Sequence, residues 1–187
     1  METKADEKPG YEKVGYYKKI KDEGLIMEAV SMKRKRISRF FKLPMDMKFL
    51  FVKAFFISAA IRFSILFISF KKLAGFAGKY KEESPKVLED KDKINVAKVS
   101  WVVNTASKFT PWESKCLVKA MTAQILLKRY KVSSTLYLGV AKDKGSNKLL
   151  AHAWLRAGEN FVTGGNEKVG FKEVARFSNY HAIVKQN

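Results

Sequence analysis

One cysteine, Cys116, and two histidines, His152 and His181, are found in this sequence of 187 residues. A thiol and an imidazole together run nucleophilic acyl chemistry near neutral pH: the thiol attacks a carbonyl as thiolate, and the imidazole moves its proton. A helix N-terminus favours the thiolate form of a cysteine, and a neighbouring imidazolium adds to the effect. A single cysteine excludes an intramolecular disulfide framework and any multi-cysteine metal site, and it fits a reducing compartment. The pair becomes useful only if Cys116 opens a helix and a rigid element carries a histidine to it.

The local signals offer both. Thr110-Pro111-Trp112-Glu113 has the form of a capping box with proline at the first helical position. It predicts a helix running to about Tyr130 with Cys116 in the second turn. If Ser114 is the cap instead, Cys116 falls in the first turn, nearer the positive end of the helix dipole. Downstream, Thr135 to Ala141 reads as a strand and Lys142 to Lys148 as a turn. Leu149 to Arg156 then alternates, with Ala151, Ala153 and Leu155 on one face and His152, Trp154 and Arg156 on the other. The small residues beside His152 permit close approach. Ala157-Gly158-Glu159-Asn160 turns the chain into Phe161-Val162-Thr163, and a last strand over Phe171 to Tyr180 is expected to complete a meander against the Cys116 helix. His181 reads as a surface residue.

Upstream, residues 1–42 are polar and lysine-rich and read as a mobile or partner-dependent extension, leaving 43–187 for a helical lead-in and the catalytic domain. Residues 45–72 predict one long helix that is apolar on nearly all sides. Lys53 and Arg62 interrupt its apolar run, which favours a buried or partner-facing helix over a membrane span. Segment 79–93 is charged, carries Pro85 and reads as a linker or surface loop. Val96, Val99, Val103 and Ala106 predict a short helix over 92–107, with Trp101 in a structural role. Lys and Arg number 37 against 18 Asp and Glu, a formal net charge of +19. Such a field attracts polyanions or anionic membrane surfaces, and the run Lys33 to Arg36, with Arg39 and Lys42, concentrates it. The first residues lack the apolar core of a signal peptide, so the cytoplasm is the expected address, with membrane-surface association as a second option.

The stretches Ser114-Lys115-Cys116-Leu117-Val118-Lys119-Ala120, Leu138-Gly139-Val140, Ala151-His152-Ala153-Trp154-Leu155 and Val162-Thr163-Gly164-Gly165 are similar to those of the leader peptidases of lasso peptide biosynthesis. The similarity extends over about residues 41–180. It implies an α+β fold: a helical N-terminal half followed by a papain- or transglutaminase-like core, with the catalytic helix packed on an antiparallel sheet. It further implies a cysteine protease that cleaves the leader from a ribosomally made precursor through a Cys116 acyl-enzyme, with His152 as base and no metal or cofactor. The family usually orients its histidine with an Asp or Asn on the next strand, yet no Asp follows Asp143. A turn centred on Gly158-Glu159 sets His152 opposite about Gly165, one residue from Asn166, which could fill that place. Glu167, a main-chain carbonyl near Thr163, or no third group at all are the alternatives. Trp112 and Trp154 are the candidates to line a substrate site.

The implied partners are the precursor peptide, a separate winged-helix-like recognition protein (the extension being too short to hold that module) and an ATP-dependent macrocyclase acting on the freed amine. Nucleic acid is not an expected partner. An acyl-transferring transglutaminase-like enzyme would share Cys116 and His152. A reading from another class, a non-enzymatic basic protein binding nucleic acid or membrane, would need neither.

Overall fold

The computed structural model describes residues 41–143, 145, 146 and 148–179, residues 70 and 71 by backbone alone. The chain divides into two units, Met1–Pro44 and Met45–Asn187, and every element named here belongs to the second. The basic run from Lys33 to Arg39 lies outside the described residues.

Helix α1 (Met45–Phe67) opens the unit, and a short α2 (Phe70–Phe76) follows it. The single helix expected over 45–72 is broken at Ser69, whose ψ of 144° ends the helical ladder. The carbonyl of Ser69 then accepts from the Lys72 and Leu73 amides, which starts the chain in a new direction. The re-aimed α2 buries Leu73, and Ala77, which follows it as the C-cap, is buried as well. Helix α3 (Asp90–Ala106) has Asp90 and Asp92 in its first turn, where carboxylates complement the helix dipole. It buries Val96, Val99, Val103 and Ala106, as their spacing requires, while Trp101 stands 46% exposed.

Helix α4 (Cys116–Arg129) is the central helix. Val118, Ala120, Met121, Ala123, Leu126 and Leu127 are all buried, so α4 must be covered on several sides. It packs against α1 and α3 and against three strands of the sheet.

That sheet is antiparallel, in the order β1-β5-β2-β3-β4, and comprises β1 (Lys79–Tyr80), β2 (Ser134–Lys142), β3 (Leu149–Ala157), β4 (Asn160–Thr163) and β5 (Lys172–Asn179). This is the α+β architecture expected, a helical part followed by an antiparallel sheet core. The meander stops at β4, however. β5 returns to the other edge of β2, pairing Leu136 with Phe177, and so buries Phe177 and half-buries Ala175.

Segment 79–93 is more than a linker. Besides β1, it places the Ser84 amide 2.8 Å from Thr135 Oγ1, to which it donates. It also carries Glu83, which accepts from Arg156 Nη2 at 2.8 Å and Arg176 Nη1 at 2.7 Å, and from the Tyr137 hydroxyl. Arg156 is buried, and its remaining donors reach the Tyr137 hydroxyl and the Ser84 and Gly158 carbonyls. Glu83 thus ties the segment to β2, β3 and β5. Its carboxyl is held below its ordinary 4.5, first by the Tyr137 hydroxyl and then, against the opposing effect of burial, by Arg156 and Arg176. A depressed folded value means stability that is present above pH 4.5 and lost as pH falls through the folded value.

Glu83→Ala is therefore expected to destabilise the fold at pH 7 by about 2 kcal/mol in urea titration. That is less than a fully buried pair because Glu83 is 38% exposed. The difference from wild type should shrink as the pH is lowered below 4.5.

Candidate active site

The cap predicted at Thr110 does not form. Its hydroxyl donates to the Ser107 and Trp112 carbonyls and bonds the Ser114 hydroxyl at 2.8 Å. Glu113, meant to close the box, pairs instead with Lys115 at 3.0 Å and Arg62 at 3.7 Å. With those groups spent, α4 begins five residues after Pro111, and Cys116 is its first residue. No side chain caps the helix and no acidic residue sits in its first turn. The thiol is half-buried against the core, beside main-chain amides that lack helical partners.

His152 lies on β3, opposite Gly139 of β2. The strand alternates as expected: Ala153, Leu155 and Ala157 enter the core shared with α4, while His152, Trp154 and Arg156 leave by the other face. The His152 ring packs at 5.9 Å on Trp154 and 5.1 Å on Phe171, and Trp154 in turn stacks at 5.6 Å on Tyr137. Gly139 makes room for this row, since a Cβ there would stand 2.8 Å from the Trp154 indole. Beside it opens a cleft of about 440 Å³, lined by Trp154, Arg156, Phe161, Lys168 and Phe171 among others.

The ring is oriented by the main chain. His152 Nε2 lies 3.0 Å from the Gly164 carbonyl oxygen. A carbonyl can only accept, so Nε2 carries the proton, and the neutral ring keeps its lone pair on Nδ1. Asn166 is exposed, and the group at the ring is a main-chain carbonyl one residue from Thr163, the alternative held open beside it. The end of β4 explains the difference. The bulge between Leu155 and Arg156 would by itself move Asn166 opposite His152, but β4 stops at Thr163 and Gly164, at φ +68°, turns the chain out of the strand before it reaches Asn166. The Gly164-Gly165 doublet was the sequence signal for that turn.

β4 therefore pairs only with residues 155–157, and at the level of His152 this side of β3 is an open edge. α4 returns to β2 through a short loop, and its 14 residues span about 20 Å, or roughly six strand residues. Counted from Ser134, this brings the start of α4 about level with Val140 and its partner Ala151, on the face of the sheet that carries Ala153 and Leu155, whereas His152 leaves by the other face. Among the described residues the thiol makes no hydrogen bond to the ring. Of the two tryptophans, Trp154 lines the cleft, whereas Trp112 packs at 4.9 Å on Phe55 of α1 in the helical layer. His181 lies outside the described residues.

The described residues thus give two separate elements, a thiol at a helix start with open main-chain amides and an imidazole held in one tautomer by Gly164. The family model described as the transglutaminase-like superfamily matches residues 58–176, well over half the chain and spanning Cys116, His152 and Gly164. No curated protein and no solved structure matches the sequence.

Proposed function

The chain belongs to the transglutaminase-like superfamily, whose chemistry is of the cysteine peptidase or acyl-transferase type, and on that premise we propose that it is the cysteine peptidase that removes the leader from a lasso precursor peptide. The observation that carries the chemistry is the Nε2–H bond to Gly164, which leaves Nδ1 as the base. The choice of substrate rests on the likeness of the Cys116 helix and the Ala151-His152-Ala153-Trp154 strand to the leader peptidases.

In this reading His152 Nδ1 takes the thiol proton, and Sγ attacks the scissile carbonyl. The oxyanion is met by the open amides at the start of α4. The imidazolium then protonates the leaving amine, and the amine departs while Cys116 holds the acyl group as a thioester. Water, deprotonated by His152, attacks the thioester and frees the leader. An amine attacking in place of water would give transfer instead. Delivery of the precursor by a separate winged-helix-like recognition protein is part of the proposal.

The test is to incubate the chain with such a recognition protein and a precursor peptide and to weigh the products. Two fragments whose masses sum to precursor plus one water are expected, with cleavage slower by about tenfold or more when the recognition protein is left out. An intact precursor, or an amine-adduct mass, would overturn leader hydrolysis.

A further inference from the structure

Helix α1 is apolar on two faces. Leu50, Ala54, Ser58 and Ile61 form the buried row, packed toward α3 and α4. On the outside, Phe49, Phe56 and Phe63 recur every seven residues and stand 62%, 66% and 59% exposed. Seven residues are about two turns, so the three rings form one stripe along the helix. Val52, Leu66 and Phe67 widen it, and the next helix adds an exposed Phe76. Exposed apolar surface that is continuous over a whole helix marks a site of association.

We propose that α1 lies flat in the interface of an anionic lipid bilayer, with its phenylalanine stripe among the acyl chains. Charge argues for lipid as the occupant. Between residues 45 and 80 the sequence has six basic residues, Lys48, Lys53, Arg62, Lys71, Lys72 and Lys79, and one acid, Asp46. That acid is already paired with Lys98 at 2.9 Å. Lys53 is exposed within reach of the stripe, and Lys72 is exposed beyond its end. Their long stems let the ammonium groups sit at the phosphates while the rings are immersed. Phenylalanine on one side with lysine beside it is the pattern of an interfacial helix, and the charge of +19 draws the molecule to such a surface. At 23 residues α1 is long and apolar enough to cross a bilayer. The buried row holds it to the domain, so it lies on the surface.

The test uses the whole 187-residue chain and co-sedimentation with vesicles of phosphatidylcholine alone or mixed with phosphatidylglycerol. Wild type should pellet with the anionic vesicles and be released by salt. A triple variant, Phe49→Ser, Phe56→Ser and Phe63→Ser, should melt like wild type, since it changes only exposed side chains, and partition about tenfold less or weaker. Lys53→Glu should weaken binding by a smaller factor. The proposal is overturned if wild type binds neither vesicle, or if the triple variant binds as tightly as wild type, which would assign binding to basic residues elsewhere. It is equally overturned if light scattering shows a dimer that the triple variant dissolves, because a second copy would then cover the stripe.

Discussion

Replacing Cys116 by alanine is expected to lower cleavage by about 10⁵-fold or more, because the change removes the only atom that can carry the acyl group. Cys116 is the sole cysteine, so no neighbouring thiol can substitute for it. The fold should be nearly indifferent: the thiol is half-buried at a helix end, and losing one sulfur costs on the order of 1 kcal/mol. His152→Ala should be slow for a different reason, since attack would then depend on the small fraction of thiolate present without a base. Mass spectrometry separates the two: wild type quenched early should carry the acyl mass on Cys116, and the alanine variant none. Cleavage by Cys116→Ala at a rate within tenfold of wild type would falsify the nucleophile assignment.

The second large effect is expected at a residue with no side chain. Gly164→Ala places a Cβ 2.6 Å from the Ala153 carbonyl and 3.0 Å from His152 Nε2, at a φ of +68° that L side chains rarely adopt. The backbone must shift, and the carbonyl that fixes the ring shifts with it. We expect kcat to fall about 10- to 100-fold with KM little changed, alongside a stability loss of roughly 1–2 kcal/mol. Asn166→Ala serves as the comparison. If the Asn166 amide orients His152, that variant falls as far as Gly164→Ala; if the carbonyl does, kcat stays within about twofold of wild type. Steady-state kinetics on the two purified variants decides between them.

Features set by nearest neighbours were legible in the sequence. The valines of α3, the alternation of β3 and the turn at Gly158 all follow from spacing, because each is a local pattern meeting one buried face. The helix start near Cys116 and the strand carrying His152 were legible as positions, while their catalytic roles belong to the proposal. What escaped the sequence depended on competition or on distant pairing. Thr110 and Glu113 spell a cap but are drawn to other partners, so α4 starts later than the motif suggests. Glu83 looks like one charge among many in a linker, and only the fold brings Arg156 and Arg176 to it. The choice between Asn166 and a main-chain carbonyl near Thr163 stayed open in the sequence because it turns on where β4 ends, and the left-handed Gly164 ends it with its own carbonyl at His152.

The strand order also governs when the molecule can become an enzyme. α4 and the β2-β3-β4 ribbon are contiguous in sequence and can assemble through short loops, whereas β5 must thread between β1 and β2, pairing Ser178 with Lys79. Closure of so long a loop is slow as a rule, so β5 is expected to dock late in folding. Phe171, which supports the His152 ring, sits at the entrance to β5. Until that strand docks, the imidazole lacks one of its walls, so a partly folded chain should have a thiol but no seated base. On the proposed function, chains that have not yet docked β5 should therefore be inactive.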